Sequence, residues 1–307
     1  MTAISAAQVK ELREITGAGM MDCKKALTEC AGDIEASVDW LRKKGLSKAA
    51  KKSDRVAAEG LVAVAVDGNK GVAIELNSET DFVAKNEQFQ KLVSDVAQAA
   101  LKNSASVEDL KNSALENGQT VSENITNAIA SIGENMSLRR VADVSVDKGV
   151  VCAYVHNKSA DNMGKIGVLV GIESEGDAAQ IAPVAKQIAM HIAATNPAAL
   201  SSDELDAQTV ERERKVYQEQ AEASGKPEKI IAGMVEGRMK KYFKEVCLLE
   251  QPFVMDPDRT VAQVVADLAK ETGSDAVLKS FVMFKLGEGI QKEESDFAAE
   301  VAAAVGQ

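Results

Sequence analysis

Two distant stretches of the chain spell one pattern. Gly71-Val-Ala-Ile-Glu-Leu-Asn-Ser-Glu79 and Gly167-Val-Leu-Val-Gly-Ile-Glu-Ser-Glu175 both read G-V-x-[IV]-x-[LI]-x-S-E. Each follows a second apolar run that opens on glycine, Gly60-Leu-Val-Ala-Val-Ala-Val66 and Gly149-Val-Val-Cys-Ala-Tyr-Val155. Asp67-Gly68-Asn69 separates the first pair of runs, and a longer polar turn, His156–Lys165, separates the second. Runs of this kind joined through turn residues form β-hairpins. Each hairpin leads through a polar loop into a segment of helical period: Phe89, Leu92, Val93, Val96 and Ala100 in the first, Val184, Ile188 and Ile192 in the second. Two units of one pattern predict a duplicated hairpin-plus-helix α+β core with pseudo-two-fold character, too few and too long in period for a solenoid.

The flanks read as helical. Ser5 with Gln8 forms a capping box, Val9, Leu12 and Ile15 make a stripe, and Gly17 stops the helix. Met20, Cys23, Leu27 and Cys30 mark one side of a second helix that stops at Gly32. Asp33 caps a third, with Ile34, Val38 and Leu41 inward and Gly45 closing it. The run Arg42, Lys43, Lys44, Lys48, Lys51, Lys52 and Arg55 then reads as a solvated helix end and linker, or as a surface for an acidic partner. From Ser202 to Val246 the chain is charged and helical, broken at Ser224-Gly225-Lys226-Pro227. Its first arm has few apolar residues (Val210, Tyr217, Ala221); the second has Ile230, Ile231, Met234, Val235, Tyr242 and Phe243. So thin a stripe predicts a protruding antiparallel coiled coil. Thr260 caps a helix bearing Val261, Val264, Val265 and Leu268, Phe281–Phe284 is strand-like, and an amphipathic helix near Phe297 and Val301 closes the chain.

Composition narrows the chemistry. With 36 basic and 47 acidic residues the net charge is −11, which argues against direct nucleic-acid binding. Residues 1–55 differ, holding 11 basic and 8 acidic side chains, so the remainder carries −14. Two histidines and four cysteines without a CxxC pair leave little for a metal site, a nucleophile or a disulfide framework. TGAGMMD lacks the third glycine of a dinucleotide fingerprint, and neither a phosphate-binding P-loop nor a G-x-S-x-G elbow is present. For His191 the expectation is a satisfied residue on an amphipathic helix. The N-terminus has no signal-peptide pattern and no apolar run suits a membrane, so the reading is a cytoplasmic binding protein with no catalytic chemistry, cofactor or metal of its own.

Two loops invite a partner. Thr16–Asp22 places Met20 and Met21 side by side, and at most one of them can face inward. Thr80-Asp81-Phe82-Val83-Ala84-Lys85 puts an aromatic and a carboxylate between a strand and a helix. Phe82 either packs on its own helix or serves as a wedge into a partner.

Several segments together resemble the bacterial elongation factor Ts family: LREITGAGMMDCKKALTECAGDIEASVDWLRKKG, NSETDFVAKNEQF, HIAATNP, GMVEGRMKK and QPFVM, in that order along nearly the whole chain. The resemblance implies a ubiquitin-associated-like helical domain over 1–55 and a core of two subdomains, 56–145 and 146–200 with 247–286. It also implies a coiled-coil hairpin over 201–246 and a C-terminal module over 287–307. The activity implied is guanine-nucleotide exchange on elongation factor Tu. Thr80, Asp81, Phe82 and Val83 would dislodge the partner's Mg²⁺, while Arg13, Met20, Met21, Val254 and Met255 would make further contacts. Two other readings stay open on the residues alone: a non-exchanging scaffold or chaperone, and a small-molecule enzyme using Asp81 with Lys85.

Overall fold

The computed structural model describes residues 4–103 and 106–291. The expected closing helix near Phe297 and Val301, and with it most of the 287–307 module, lies outside the described residues. In chain order the helices and strands are α1 (Ala6–Thr16), α2 (Met20–Glu29), α3 (Ile34–Ala50), β1 (Glu59–Asp67), β2 (Lys70–Ser78), α4 (Glu87–Asn103), α5 (Val107–Asn112), α6 (Val121–Ile132) and β3 (Met136–Ser145). They continue as β4 (Gly149–Ala160), β5 (Met163–Ser174), α7 (Ala178–Thr195), α8 (Ala207–Glu222), α9 (Glu228–Val246), β6 (Pro252–Phe253), β7 (Asp256–Thr260), α10 (Val261–Thr272) and β8 (Ala276–Lys285). The fold is mixed α+β with antiparallel strand pairing.

The sequence repeat is also a repeat of register. In the first unit Gly60 faces Asn77 and Leu61 faces Leu76; in the second Gly149 faces Glu173 and Val150 faces Ile172. Gly60 and Gly149 share positive φ angles of 115° and 123°, where an added Cβ would strike the carbonyl oxygens of Leu76 and Ile172. A third strand completes each unit: β8 contains the strand-like Phe281–Phe284, whereas β3 had not been expected. β3 pairs β2 with a bulge between Glu75 and Leu76, and β8 pairs β5 with a bulge between Gly171 and Ile172. The helix before each third strand opens on a threonine capping box, Thr120 with Glu123 and Thr260 with Gln263, and ends on a left-handed glycine, Gly133 or Gly273.

The two three-stranded sheets join where Val62 and Ala63 of β1 meet Gly164 and Met163 of β5, and from there they stack face to face. Alternation sends odd residues of β1 one way and even ones the other. Leu61, Ala63 and Ala65 pack under α4–α6, whereas Val62 and Val64 meet Val151, Val155 and Leu169 between the sheets. Val168, Val170 and Ile172 of β5 pack beneath α7 and α10 on the opposite outer face. Glycines make the sheet–sheet contact close. A Cβ on Gly167 would lie 2.6 Å from Val62 Cγ1, and its counterpart Gly71 would meet Val151 Cγ1 at 2.7 Å. Where the second copy has Gly171, the first has buried Glu75, whose carboxylate accepts from Arg139, Arg140, Asn77 and the Gly287 N–H. Burial pushes Glu75 up, but the Gly287 N–H, Asn77 and Arg140 outweigh it and hold the carboxyl below its ordinary range.

Three local expectations change. Gly45 does not close α3, which runs to Ala50; it is buried where α3 lies against Ala130 and Thr126 of α6. The basic run is therefore largely engaged within the molecule. Lys44 and Lys48 reach Asp22, Arg42 reaches Glu123, Lys48 and Lys52 donate to the carbonyls of Ala130 and Gly133, and Arg55 pairs with Glu79. The Lys44 and Lys48 hydrogen bonds hold Asp22 below its ordinary pKa. Finally, His156–Lys165 is no long turn: β4 continues to Ala160 and only Asp161-Asn162 intervenes, with Asn162 at φ 57°.

The close sheet contact predicts that Gly167→Val lowers stability by about 1–3 kcal/mol through overpacking. Gly233, whose Cβ position is open, should tolerate alanine with no loss. Chemical denaturation of the two variants checks both.

Candidate functional site

The segment after β2 has a rigid frame and a bare tip. Ser78 is fully buried, and its hydroxyl donates to the Thr80 carbonyl at 3.0 Å. The Thr80 N–H and hydroxyl both donate to the Glu134 carboxylate, at 2.9 and 2.6 Å. Beyond the tip, Val83 and Ala84 sink into the core under α4. The Lys85 N–H donates to Phe82 O at 3.1 Å and the Asn86 N–H to Val83 O at 2.9 Å, closing one short 3-10 turn. Asn86 then caps α4 through the Phe89 N–H. Between these anchors Asp81 and Phe82 point outward, and Phe82 is 76% exposed. Packing of Phe82 on its own helix is thus ruled out.

A second apolar display comes from the N-terminal helices. Leu12, Cys23, Ala26 and Leu27 form their small core, joined by Val9, Val38 and Leu41 at its edge. The stripe expected at Ile15 and Met20 does not face it; Ile15, Met20 and Met21 are all solvent-exposed, Met21 at 76%. Cys23 and Leu27 fill that core, and neither methionine enters it. Arg13 is exposed in the last turn of α1. A Cβ placed on Gly17 would lie 3.9 Å from Gln88 Nε2 in the first turn of α4, so this turn stands near the element that follows the Phe82 loop.

Val254 and Met255 stand on the other half of the core, exposed in the turn between β6 and β7. Fully buried His191 holds that turn: the Val254 N–H donates to its Nδ1 at 3.2 Å, which leaves Nε2–H to donate to Gln251 Oε1 at 2.8 Å. Burial pushes the His191 pKa down, outweighing the Gln251 contact that favours the charged ring. His191 is a satisfied packing residue, as expected.

Glu134 and Asn135 were not foreseen. The Asn135 N–H donates to Glu79 at 2.5 Å, and its carboxamide donates to the Arg55 and Ser53 carbonyls at 2.8 and 3.4 Å. More than fifty residues separate this pair from the loop they brace, so no local pattern could reveal that role. A polar dipeptide between a helix-ending glycine and a strand is the one available cue. Among the described residues no cluster of His, Cys, Asp and Glu could hold a metal ion, and no helix is long and apolar enough to cross a membrane.

Exposed methionine, phenylalanine and valine side chains thus stand at three places: the start of α2, the loop after β2 and the turn between β6 and β7. Residues 79–288 match the family model described as Elongation factor TS. The chain is 59% identical over 307 residues to Elongation factor Ts of Sphingopyxis alaskensis, with 100% of each chain covered. It is 56% identical over 311 residues to that of Maricaulis maris, again covering 100% of each, and 56% identical over 304 residues to that of Agrobacterium fabrum, covering 99% of each. The chain belongs to the elongation factor Ts family, a family of translation elongation factors.

The His191 arrangement predicts a pH effect. Its folded pKa lies below the unfolded value near 6.5, so its contribution is full above that pH and is lost as pH falls toward the folded pKa. The thermal midpoint should fall between pH 7 and 5.5, and His191→Gln should flatten that fall.

Proposed function

We propose that this chain is a guanine-nucleotide exchange factor for elongation factor Tu, working in the cytoplasm without catalytic chemistry of its own. The observation that carries the proposal is the exposed Phe82 at the tip of a loop braced on both sides. A wedge transmits force only if its base does not yield, and this base is fixed by five hydrogen bonds and two buried side chains. Phe82 inserts between side chains of the GTPase near its magnesium site, with Asp81 beside it and Thr80 and Val83 setting the approach. Loss of Mg²⁺ removes the cation that neutralises the nucleotide phosphates, so GDP leaves and GTP can enter.

Arg13, Met20 and Met21 hold the GTPase domain from the N-terminal helices, and Val254 with Met255 touches a second domain of the partner. In this reading residues 1–55 are a ubiquitin-associated-like module, 56–145 and 146–200 with 247–286 are the two core subdomains, and 201–246 is a coiled-coil arm. The arm's own apolar seam, with Ala221, Ile231, Val235 and Met239 buried between α8 and α9, supports that role. The family's name supports translation elongation as the setting.

Elongation factor Tu loaded with fluorescent GDP tests the proposal directly. Substoichiometric chain should accelerate release catalytically; unchanged release contradicts exchange, and binding without acceleration favours a scaffold. Phe82→Ala should lower the maximal rate at saturating factor by about tenfold or more while leaving the half-saturating concentration nearly unchanged. Met21→Asp should do the opposite, raising that concentration with the maximal rate preserved.

A further inference from the structure

We infer that Glu134 is the positioning residue for the Asp81–Phe82 tip, an inference that rests on the exchange reading above. Its carboxylate binds both donors of Thr80, the residue immediately before the tip. Charge-assisted bonds to one residue's N–H and hydroxyl fix both the peptide plane and the side-chain rotamer. Rotation about Thr80 would otherwise swing Asp81 and Phe82 together. Asn135 ties the adjoining residue of the same turn to Glu79 and to the linker carbonyls of Ser53 and Arg55. The Lys52 ammonium donates to the Gly133 carbonyl just before them. One helix-to-strand turn thus anchors the base of the wedge and the segment leading from the N-terminal helices.

The duplicated unit supplies an internal control. By the shared register, Thr80 corresponds to Gly176 and Glu134 to Ser274. The second copy enters α7 directly, with Asp177 as its N-cap, and presents no aromatic tip. The threonine–glutamate bracket occurs in the copy that displays a phenylalanine and is absent from its counterpart. The hairpin-plus-helix unit can therefore form without it; it accompanies the tip.

The test uses the full chain and elongation factor Tu loaded with fluorescent GDP. Glu134→Ala should lower the saturating release rate by about tenfold, because misplaced groups lose effectiveness steeply, while half-saturation stays within about twofold. Glu134→Gln should recover to within about threefold of the parent, since its amide oxygen accepts the Thr80 N–H and its NH₂ can donate to the rotatable hydroxyl. In a Phe82→Ala background, Glu134→Ala should cost no more than about a further twofold, because the bracket acts through the tip. Independent, multiplicative losses overturn the inference and indicate a general structural role. Amide hydrogen exchange of the free chain gives a readout without partner: the peptide covering residues 79–83 should exchange faster in Glu134→Ala than in the parent. Equal exchange overturns the bracket whatever the kinetics show. A parent chain that never accelerates GDP release sinks the functional reading instead, and faster amide exchange in the variant then still identifies Glu134 as the brace of the loop.

Discussion

Two sheets can stack as closely as these do only where one of them lacks side chains. Gly71 and Gly167 stand where a Cβ would run into Val151 and Val62, and Gly171 stands likewise against Val144. These contacts fix how the two units face each other. They also fix which face of each hairpin is covered by helices, because alternation along a strand leaves no freedom once one face is committed. The loop after β2 leaves the sheet at a place and angle set by this packing. So does the turn that carries Val254, through α7 and His191.

Duplication explains the architecture, and divergence between the copies explains the site. Both units share the opening glycine, the register, the third strand with its bulge, and the capped helix before that strand. They differ at two corresponding positions of the repeat. Gly171 is replaced by Glu75, whose buried charge gathers Arg139, Arg140 and the Gly287 N–H. Gly176 is replaced by Thr80, and a 3-10 turn with an exposed phenylalanine follows. Between the helices of the second unit stands the long α8–α9 hairpin, packed on its own seam.

Much of this was legible in sequence because it is local. Hairpin glycines, the Ser5 and Thr260 caps, the Gly17 stop and the Gly-Pro break between α8 and α9 each act within a few residues. Where reading failed, distant contacts decided. Gly45 resembles a helix stop, yet it lies against α6, and packing overrode its low propensity. The basic run resembles a free surface, yet Asp22, Glu123 and the end of α6 absorb most of it. The exposure of Phe82, Met20 and Met21 was a possibility in the sequence; the filled cores beneath them settle it. Glu134 and Asn135 had one faint local cue, their place between the glycine that ends α6 and the start of β3, and nothing local told what they brace.

In the proposed exchange the chain is a rigid body that stabilises one state of its partner, so its effect is thermodynamic before it is kinetic. Linkage then demands reciprocity between the bound factor and the bound nucleotide. The most direct measurement is the affinity of the chain for nucleotide-free and for GDP-loaded elongation factor Tu, beside the affinity of GDP with and without the chain. The account predicts tighter binding to the empty form, by the same factor by which the chain weakens GDP. Equal affinity for the two forms would contradict it, since a protein that binds both states alike shifts neither.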